Sequence, residues 1–391
     1  MKKISLIHIL LLFCHVVAIG RSVVTPEMYG AVGDGIQDDT EAVRSSFESG
    51  SPVILDKTYL ITESLFIKTD IQGKGCILFG HNDVSLYCTS VGISIKGLIF
   101  NYQQHEGKLM RLKDAHNVLI EDCAFLNVGN HSAKQSEGMI LITNSSSNIT
   151  IRGCRFIQCY SSSESSSAGI WVNFSKQEDC CHHINITDCY FDDFQPSKDA
   201  DAIKIIGQNE NVYVYISNCV FHRCDKRALK LQARECHSKG NVVYVSRPMY
   251  CAIDFQRGYG TSDKDIVIIQ YDGISQINPN SGLLYRAICI AQNNVTVNKC
   301  KVLATNAIDN NHQVSICLQS FTDYDDGTVS DVSLNKCTFD GQNAFITCSE
   351  SVTSISSIRI NRCRYNSRKI NRKIVRIENQ CKESLRKYLE I

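Results

Sequence analysis

A nine-residue strand pattern recurs along this chain of 391 residues and limits what the chain can fold into. Each copy reads x-apolar-x-apolar-x-x-Cys-x-aromatic, as in NVLIEDCAF from position 117 and NITIRGCRF from position 148. Neighbouring copies begin about 24 to 37 residues apart, which is the range typical of solenoid repeats. The cysteine position holds Cys123, Cys154, Cys189, Cys219, Cys300, Cys337 and Cys363, with Leu98, Pro248 and a site near Asp272 in weaker copies.

A second short strand accompanies most copies, in the form of a small residue followed by apolar-x-apolar. Examples are AGIWV from 168, DAIKI from 201 and RALKL from 227. No helical period of useful length separates the strands, which excludes alternating β-α units and a Rossmann sheet. Repeated short strands without hairpin dipeptides predict an all-β fold, a single-stranded right-handed parallel β-helix of about ten coils with an N-terminal capping helix.

In such a solenoid, equivalent residues of successive coils stack at strand spacing. Cysteine is a small, apolar and polarisable side chain that suits an inward ladder of this kind. We expect free stacked thiols rather than ladder disulfides, because in-register side chains point the same way and fit disulfide geometry poorly. The aromatic two positions later predicts a second ladder of Phe100, Phe125, Phe156, Phe191, Phe221, Phe339 and Tyr365.

The N-terminal residues predict export, and both ends of the chain predict caps for the solenoid. Residues 1–20 resemble a cleavable signal peptide, which predicts a secreted or periplasmic protein without membrane insertion. Residues 21–50 form the predicted cap, with a helix that Asp38 or Asp39 begins and Gly50 ends. Residues 51–366 form the predicted β-helix and residues 367–391 a basic cap or tail. Since 41 Lys and Arg balance 40 Asp and Glu, no overall charge favours nucleic acid.

The stretch MYGAVGDGIQDDTEAV, residues 28–43, resembles the N-terminal signature of the pectate lyase-like superfamily, which includes rhamnogalacturonase- and epimerase-like enzymes and phage tailspikes. The resemblance implies a parallel β-helix that acts on a polysaccharide. The polygalacturonase-type catalytic pattern is absent, however, because Lys226-Arg227 stands where that pattern has an Asp-Asp pair. This departure argues against inverting pectin hydrolysis, which needs both acids.

One outward column of the second strand carries the candidate site. In apolar-x-apolar the middle residue faces away from the core, and the middle residues read Trp171, Lys204, Lys230, Asp254, Cys289 and Cys317. Lys204 and Lys230 would repel each other, which favours a neutral lysine that could act as the base of a β-elimination. With Arg227 neutralising a uronate carboxylate, the predicted function is binding and cleavage of an acidic polysaccharide by β-elimination.

Further roles and alternatives follow from the same residues. Trp171 could stack on a sugar, and Asp199 with Asp201 could hold Ca²⁺, the one cofactor considered. A glycoside hydrolase using Asp201 and Asp254 as its acid pair is one alternative, and a non-catalytic polysaccharide-binding or adhesive solenoid is another. Solvated charges, or a local ion network of the two lysines and the aspartate, would explain the column without any site. The cluster Cys180-Cys181-His182-His183 and the acidic DYDDG at 323–327 are weaker metal candidates.

Overall fold

The computed structural model describes residues 22–174, 182–195, 199–207, 211–270, 284–304, 314–320, 327–340, 344–349 and 351–366, with two short strands at 368–369 and 389–390. The predicted signal peptide lies outside the described residues. So do Cys180, Cys181, Asp272, most of DYDDG and most of the C-terminal tail.

Three parallel sheets, which we name A, B and C, form the walls of the solenoid. Nearly every strand pairs in parallel with the strand one coil earlier and one coil later, which confirms the predicted right-handed parallel β-helix. The two strands that run through both A and B are Arg227–Lys239 and Met249–Asp263. The other strands of sheet A are Leu65–Ile67, Leu86–Cys88, Lys108–Lys113, Glu137–Thr143, Ser166–Phe174, Asp199–Gly207, Leu284–Ile290, Val314–Leu318 and Ala344–Cys348.

Sheets B and C complete each coil. The other strands of sheet B are Val53–Leu55, Ile71–Gly73, Ser94–Lys96, His116–Glu121, Ser147–Arg152, His182–Thr187, Val212–Ser217, Val295–Asn298, Thr328–Asn335, Ser354–Asn361 and Leu389–Glu390. Sheet C contains Asp34–Asp38, Thr58–Ile61, Cys76–Phe79, Ile99–Asn101, Ala124–Val128, Arg155–Tyr160, Tyr190–Gln195, Val220–Cys224, Val242–Val245, Ile266–Ile269, Lys301–Ala304, Thr338–Phe339 and Arg364–Tyr365, with Arg368–Lys369 added antiparallel.

The turn from sheet B to sheet C uses one left-handed residue per coil. The residue just before the cysteine position has positive φ, at 54° in Asp122, 64° in Gly153, 55° in Asp188 and 54° in Asn218. Glycine, Asn and Asp accept this conformation more readily than other residues. This turn explains why the cysteine and the following aromatic residue both face inward although they belong to a strand on a new wall.

The cysteine ladder is buried and reduced in this structure. The sixteen cysteines of the described residues are free thiols. Each ladder thiol lies against a backbone carbonyl of the preceding coil, as in Cys154 Sγ to Ile120 O at 3.6 Å and Cys219 Sγ to Ile186 O at 3.8 Å. The thiols thus fill the corner and make weak hydrogen bonds there.

Two coils depart from the predicted ladder. Strand register aligns Cys219 with Asn241 and Asp265, not with Pro248 and Asp272. The prediction at Pro248 is wrong because the apolar residues before it, 242–245, form a strand of sheet C, which follows the cysteine position and does not precede it. Asn241 replaces the thiol contact with a 3.0 Å hydrogen bond from its side-chain amide to Ile216 O.

The aromatic ladder is continuous over five coils. Phe100, Phe125, Phe156, Phe191 and Phe221 stack with ring centroids 4.7 to 5.2 Å apart. Beyond Phe221 the same column continues with valines before it reaches Phe339, so the predicted ladder is interrupted. The interrupting residues are Val243, Val267 and Val302.

The N-terminal end is closed by a 3-10 helix, Pro26–Tyr29, and an α-helix, Thr40–Glu48. Val43 and Phe47 of the α-helix are fully buried against the first coil. Asp39 is the N-cap residue, but its carboxylate accepts hydrogen bonds from the backbone N–H of Val32 at 2.8 Å and Gly33 at 3.0 Å. It therefore fixes the preceding turn. No helix among the described residues could cross a membrane.

Candidate functional site

The predicted outward column lies on successive coils of sheet A. Strand register pairs Trp171 with Lys204, Lys204 with Lys230, and Lys230 with Asp254. Asp254 pairs in turn with Cys289, and Cys289 with Cys317. The apolar neighbours of Lys204 in its strand, Ile203 and Ile205, are fully buried in the core.

The charged members of this column are not solvated. Lys204 is 5% exposed and Asp254 is completely buried. Of the two explanations without a function, solvated charges and a local ion network, the structure shows the second, with the charges enclosed by their own partners. Enclosed charges of this kind must be paired and hydrogen-bonded to be tolerated.

Arg227 is the centre of the network. Its Nη1 donates to Asp199 at 2.7 Å and to Asp201 at 3.1 Å, and its Nε donates to Asp254 at 2.7 Å. One guanidinium thus joins three carboxylates from the coils on either side of its own. The geometry uses the planar fork of arginine, which lysine lacks.

Asp199 separates the two stacked lysines. Its carboxylate lies 2.6 Å from Lys204 Nζ and 3.2 Å from Lys230 Nζ. Burial opposes ionisation of Asp199, but the attraction of Lys230, Lys204 and Arg227 outweighs it and holds the pKa of Asp199 below its ordinary value. Because both ammonium groups have this carboxylate as a partner, the repulsion on which the predicted neutral lysine depends is offset.

Asp201 and Asp254, the acid pair of the hydrolase alternative, are both completely buried. Asp254 accepts hydrogen bonds from Gln256 at 2.7 Å and Gln319 at 3.1 Å in addition to Arg227. Burial raises the pKa of Asp201, although Arg227 opposes the shift. A substrate could not touch either carboxylate in this conformation, which disfavours the hydrolase alternative with these residues.

Trp171 has cations over its ring rather than an open face. Lys204 Nζ lies 4.7 Å and Lys108 Nζ 5.5 Å from the ring centroid. These contacts are cation–π interactions, and they occupy the surface that sugar stacking would need.

The carboxylates proposed for calcium are likewise engaged. Asp199 contacts Lys204, Lys230 and Arg227, and Asp201 contacts Arg227. A calcium ion would need several oxygen ligands at this point and would have to displace these cations. The part of the chain that the structure describes contains no group of three or more His, Cys, Asp or Glu side chains arranged for a metal.

An open pocket of about 640 Å³ adjoins the network on the outside of sheet A. Its lining residues are Lys134, Gln135, Ser136, Glu164, Ser165, Ser166, Asp199, Lys226 and Arg227. Of the residues predicted from sequence, Asp199 and Arg227 reach this pocket.

Lys226 is the functional candidate that the sequence analysis missed. It lines the pocket, and burial together with the charge of Arg227 lowers its pKa. The available signal was its place beside Arg227 at the start of a sheet A strand, where the catalytic pattern of the resembling hydrolases has acids. Lys226 precedes the regular strand, which begins at Arg227, and therefore lies outside the predicted outward column.

Several buried polar atoms beside the pocket make no hydrogen bond with the described residues. Strand register pairs Glu137 with Ser167, and it pairs the next residue after Ser167 with Asp201 of the following coil. The atoms concerned are Glu137 Oε1, Ser165 Oγ, Ser167 Oγ, Asp201 Oδ2 and Trp171 Nε1. Since burying a polar group without a partner is costly, their concentration here favours a polar ligand at this part of the surface.

Comparison with known proteins supports the fold. No protein-family model matches the chain, and no curated protein matches it. Among solved structures, the surface adhesin PfbA of Streptococcus pneumoniae is 14% identical with a TM-score of 0.55, covering 91% of this chain and 100% of that chain. A mutant tailspike protein of E. coli bacteriophage HK620, in complex with a pentasaccharide, is 11% identical with a TM-score of 0.63, covering 88% of this chain and 67% of that chain. Both are right-handed parallel β-helices.

Proposed function

We propose that this protein is an exported β-helix that binds an acidic polysaccharide over sheet A and cleaves it by β-elimination. The N-terminal signature and the fold support a place in the pectate lyase-like superfamily. A surface adhesin and a tailspike in complex with a pentasaccharide share this fold, which fits an extracellular role on glycans.

The excess of positive charge at the pocket is the observation that carries the proposal. The cationic side chains in or beside it are Lys108, Lys134, Lys204, Lys226, Arg227 and Lys230. The acidic ones are Glu137, Glu164, Asp199, Asp201 and Asp254. Burial raises the pKa of Glu137 and Asp201 and lowers that of Lys108 and Lys226, so charge is reduced on both sides and an excess of one cation remains in the formal count. An anionic ligand would complete the charge balance.

Lys226 and Arg227 are the residues proposed to act on the substrate. The bonds of Arg227 to its three carboxylates use Nε and Nη1, which leaves Nη2 for a uronate carboxylate. Lys226, with its lowered pKa, would take the proton on the carbon beside that carboxylate. The carbon–carbon double bond forms as the glycosidic carbon–oxygen bond breaks, and the protonated Lys226 returns the proton to the departing oxygen.

The test is an assay for the product on uronate-containing polysaccharides. Elimination yields an unsaturated end that absorbs ultraviolet light, together with new reducing ends. Lys226→Met should abolish the absorbing product, whereas Lys301→Met, an exposed lysine on sheet C, should leave it unchanged. New reducing ends without absorbance would show hydrolysis and contradict the proposed reaction. Retention of the polymer without shortening would show a binding protein.

A further inference from the structure

The cations of sheet A continue beyond the pocket with Arg286. Arg227 pairs in register with Cys251, and Cys251 pairs with Arg286, so the two arginines occupy one column two coils apart. The ring of Tyr250 lies near both of them. Arg227 Cζ is 5.5 Å and Arg286 Cζ is 4.8 Å from its centroid.

Arg286 has aromatic and neutral partners. Its guanidinium carbon lies 4.7 Å from the Tyr285 ring centroid, and Nη1 donates to the Tyr250 hydroxyl and to Gln319 Oε1, the latter at 2.8 Å. Lys226 Nζ also lies over Tyr250, 4.5 Å from its centroid. Within the described ranges, neither Arg286 nor Lys226 forms an ion pair with a carboxylate.

Three cations around one tyrosine ring repel one another. Each gains from the ring through a cation–π interaction, and Arg227 also bonds to three carboxylates. The charge of Arg286 has no such compensation among the described residues. A partly buried arginine that lies beside two neighbouring aromatic rings and has no carboxylate partner is suited to a carboxylate or sulfate.

We propose that Arg286, which contacts the rings of both Tyr250 and Tyr285, forms a second anion subsite, and that the polymer bound here carries an anionic group on every second sugar. This inference rests on the proposed function of the pocket. Two coils correspond to about 10 Å at strand spacing. One sugar of an extended glycan advances by a length close to one coil step, so anions on alternate sugars match Arg227 and Arg286.

The coil between the two arginines disfavours a third anion. Its outward residues are Cys251 and Asp254, and Tyr250 precedes them. The buried Asp254 carboxylate would repel an anionic sugar placed over it, whereas the tyrosine ring offers an apolar edge to a neutral sugar. A homopolymer of uronates places an acid at this coil and an alternating polymer does not.

The test compares polymers of matched length in direct binding, for example by calorimetry. Hyaluronan and chondroitin sulfate supply alternating carboxylates without and with sulfate, polygalacturonate supplies a carboxylate on each sugar, and dextran is neutral. We expect hyaluronan to bind about tenfold more tightly than polygalacturonate, the size of one charge-assisted contact. Chondroitin sulfate carries its sulfate on the sugar between two uronates and so places an anion over the intervening coil. We expect it to bind more weakly than hyaluronan, and stronger binding would contradict the alternation.

Variants of Arg286 decide whether this subsite causes the preference. Arg286→Gln should lose about tenfold in affinity for the alternating polymer and little for polygalacturonate. Arg286→Lys should keep part of the preference, and Arg155→Gln, an exposed arginine on sheet C, should keep all of it. Unchanged urea midpoints would show that the variants are folded.

Two results would overturn the inference in distinguishable ways. If acidic polymers bind but hyaluronan does not bind more tightly than polygalacturonate, or if Arg286→Gln weakens the binding of all of them equally, the second subsite is wrong and the proposed function stands. If no acidic polymer binds to the wild-type protein, the proposed function fails and the second subsite fails with it.

Discussion

Glu137 should make the stability of this protein fall as pH rises. The side chain is completely buried, and burial raises its pKa from 4.5 to about 7, although a hydrogen bond from Gly107 N–H and the charge of Lys108 oppose the shift. Between these two values the folded state holds a proton that the unfolded chain releases, so unfolding becomes easier with each step of pH. At 1.36 kcal/mol per pKa unit, the loss amounts to about 3 kcal/mol once pH exceeds both values.

The isosteric change Glu137→Gln removes this titration while keeping an oxygen for the Gly107 N–H. The free energy of unfolding of variant and wild type, measured with urea at about pH 5 and about pH 8, should therefore diverge by about 2.5 kcal/mol in favour of the variant as pH rises. Glu164→Gln, which changes an exposed carboxylate, serves as the control and should show no such divergence. A constant difference between Glu137→Gln and wild type across this window would refute the reasoning.

Three further changes test the packing and the network, each by urea unfolding. Arg227→Met should lower the free energy of unfolding by about 3 to 5 kcal/mol because Asp201 and Asp254 lose a buried counter-ion; no loss would contradict the network. Phe156→Ala should cost about 3 to 5 kcal/mol by opening the middle of the ring stack, and a cost under 1 would contradict it. Lys299→Gly should add about 1 kcal/mol because Lys299 has a φ of 55°; destabilisation would argue against strain there.

The fold could be predicted from sequence because each sheet of a solenoid is built from strands that repeat the same sequence pattern once per coil. Cys123, Cys154 and Cys189 mark the same corner of three coils, and their spacing alone implies stacking. The predicted cysteine ladder is wrong on the two coils that carry a polar residue at this position. Asn241 and Asp265 occupy it with hydrogen-bonded polar side chains, which the apolar strand pattern does not include.

The candidate site was only partly visible in the sequence. The pairing of Lys204, Lys230 and Asp254 followed from strand period and repeat length, both of which are local properties. Burial of these charges, the three-way role of Arg227 and the place of Lys226 in the pocket depend on how long side chains fold over the sheet. The positions of these side chains depend on contacts between coils, which the sequence of one strand does not determine.

The buried charges of sheet A argue for a function because the fold does not need them. A buried ion network is weak evidence of stability, since well-packed apolar residues often serve as well or better. The same outward column shows this directly, because Leu141, Cys289 and Cys317 occupy it on other coils that pair in register just as regularly. Lys204, Lys230 and Asp254 therefore add the cost of enclosing charge to a column that could have remained apolar. The cost falls on three consecutive coils beside the pocket, where unpartnered buried polar atoms also gather. Such a concentration is typical of a binding or catalytic site.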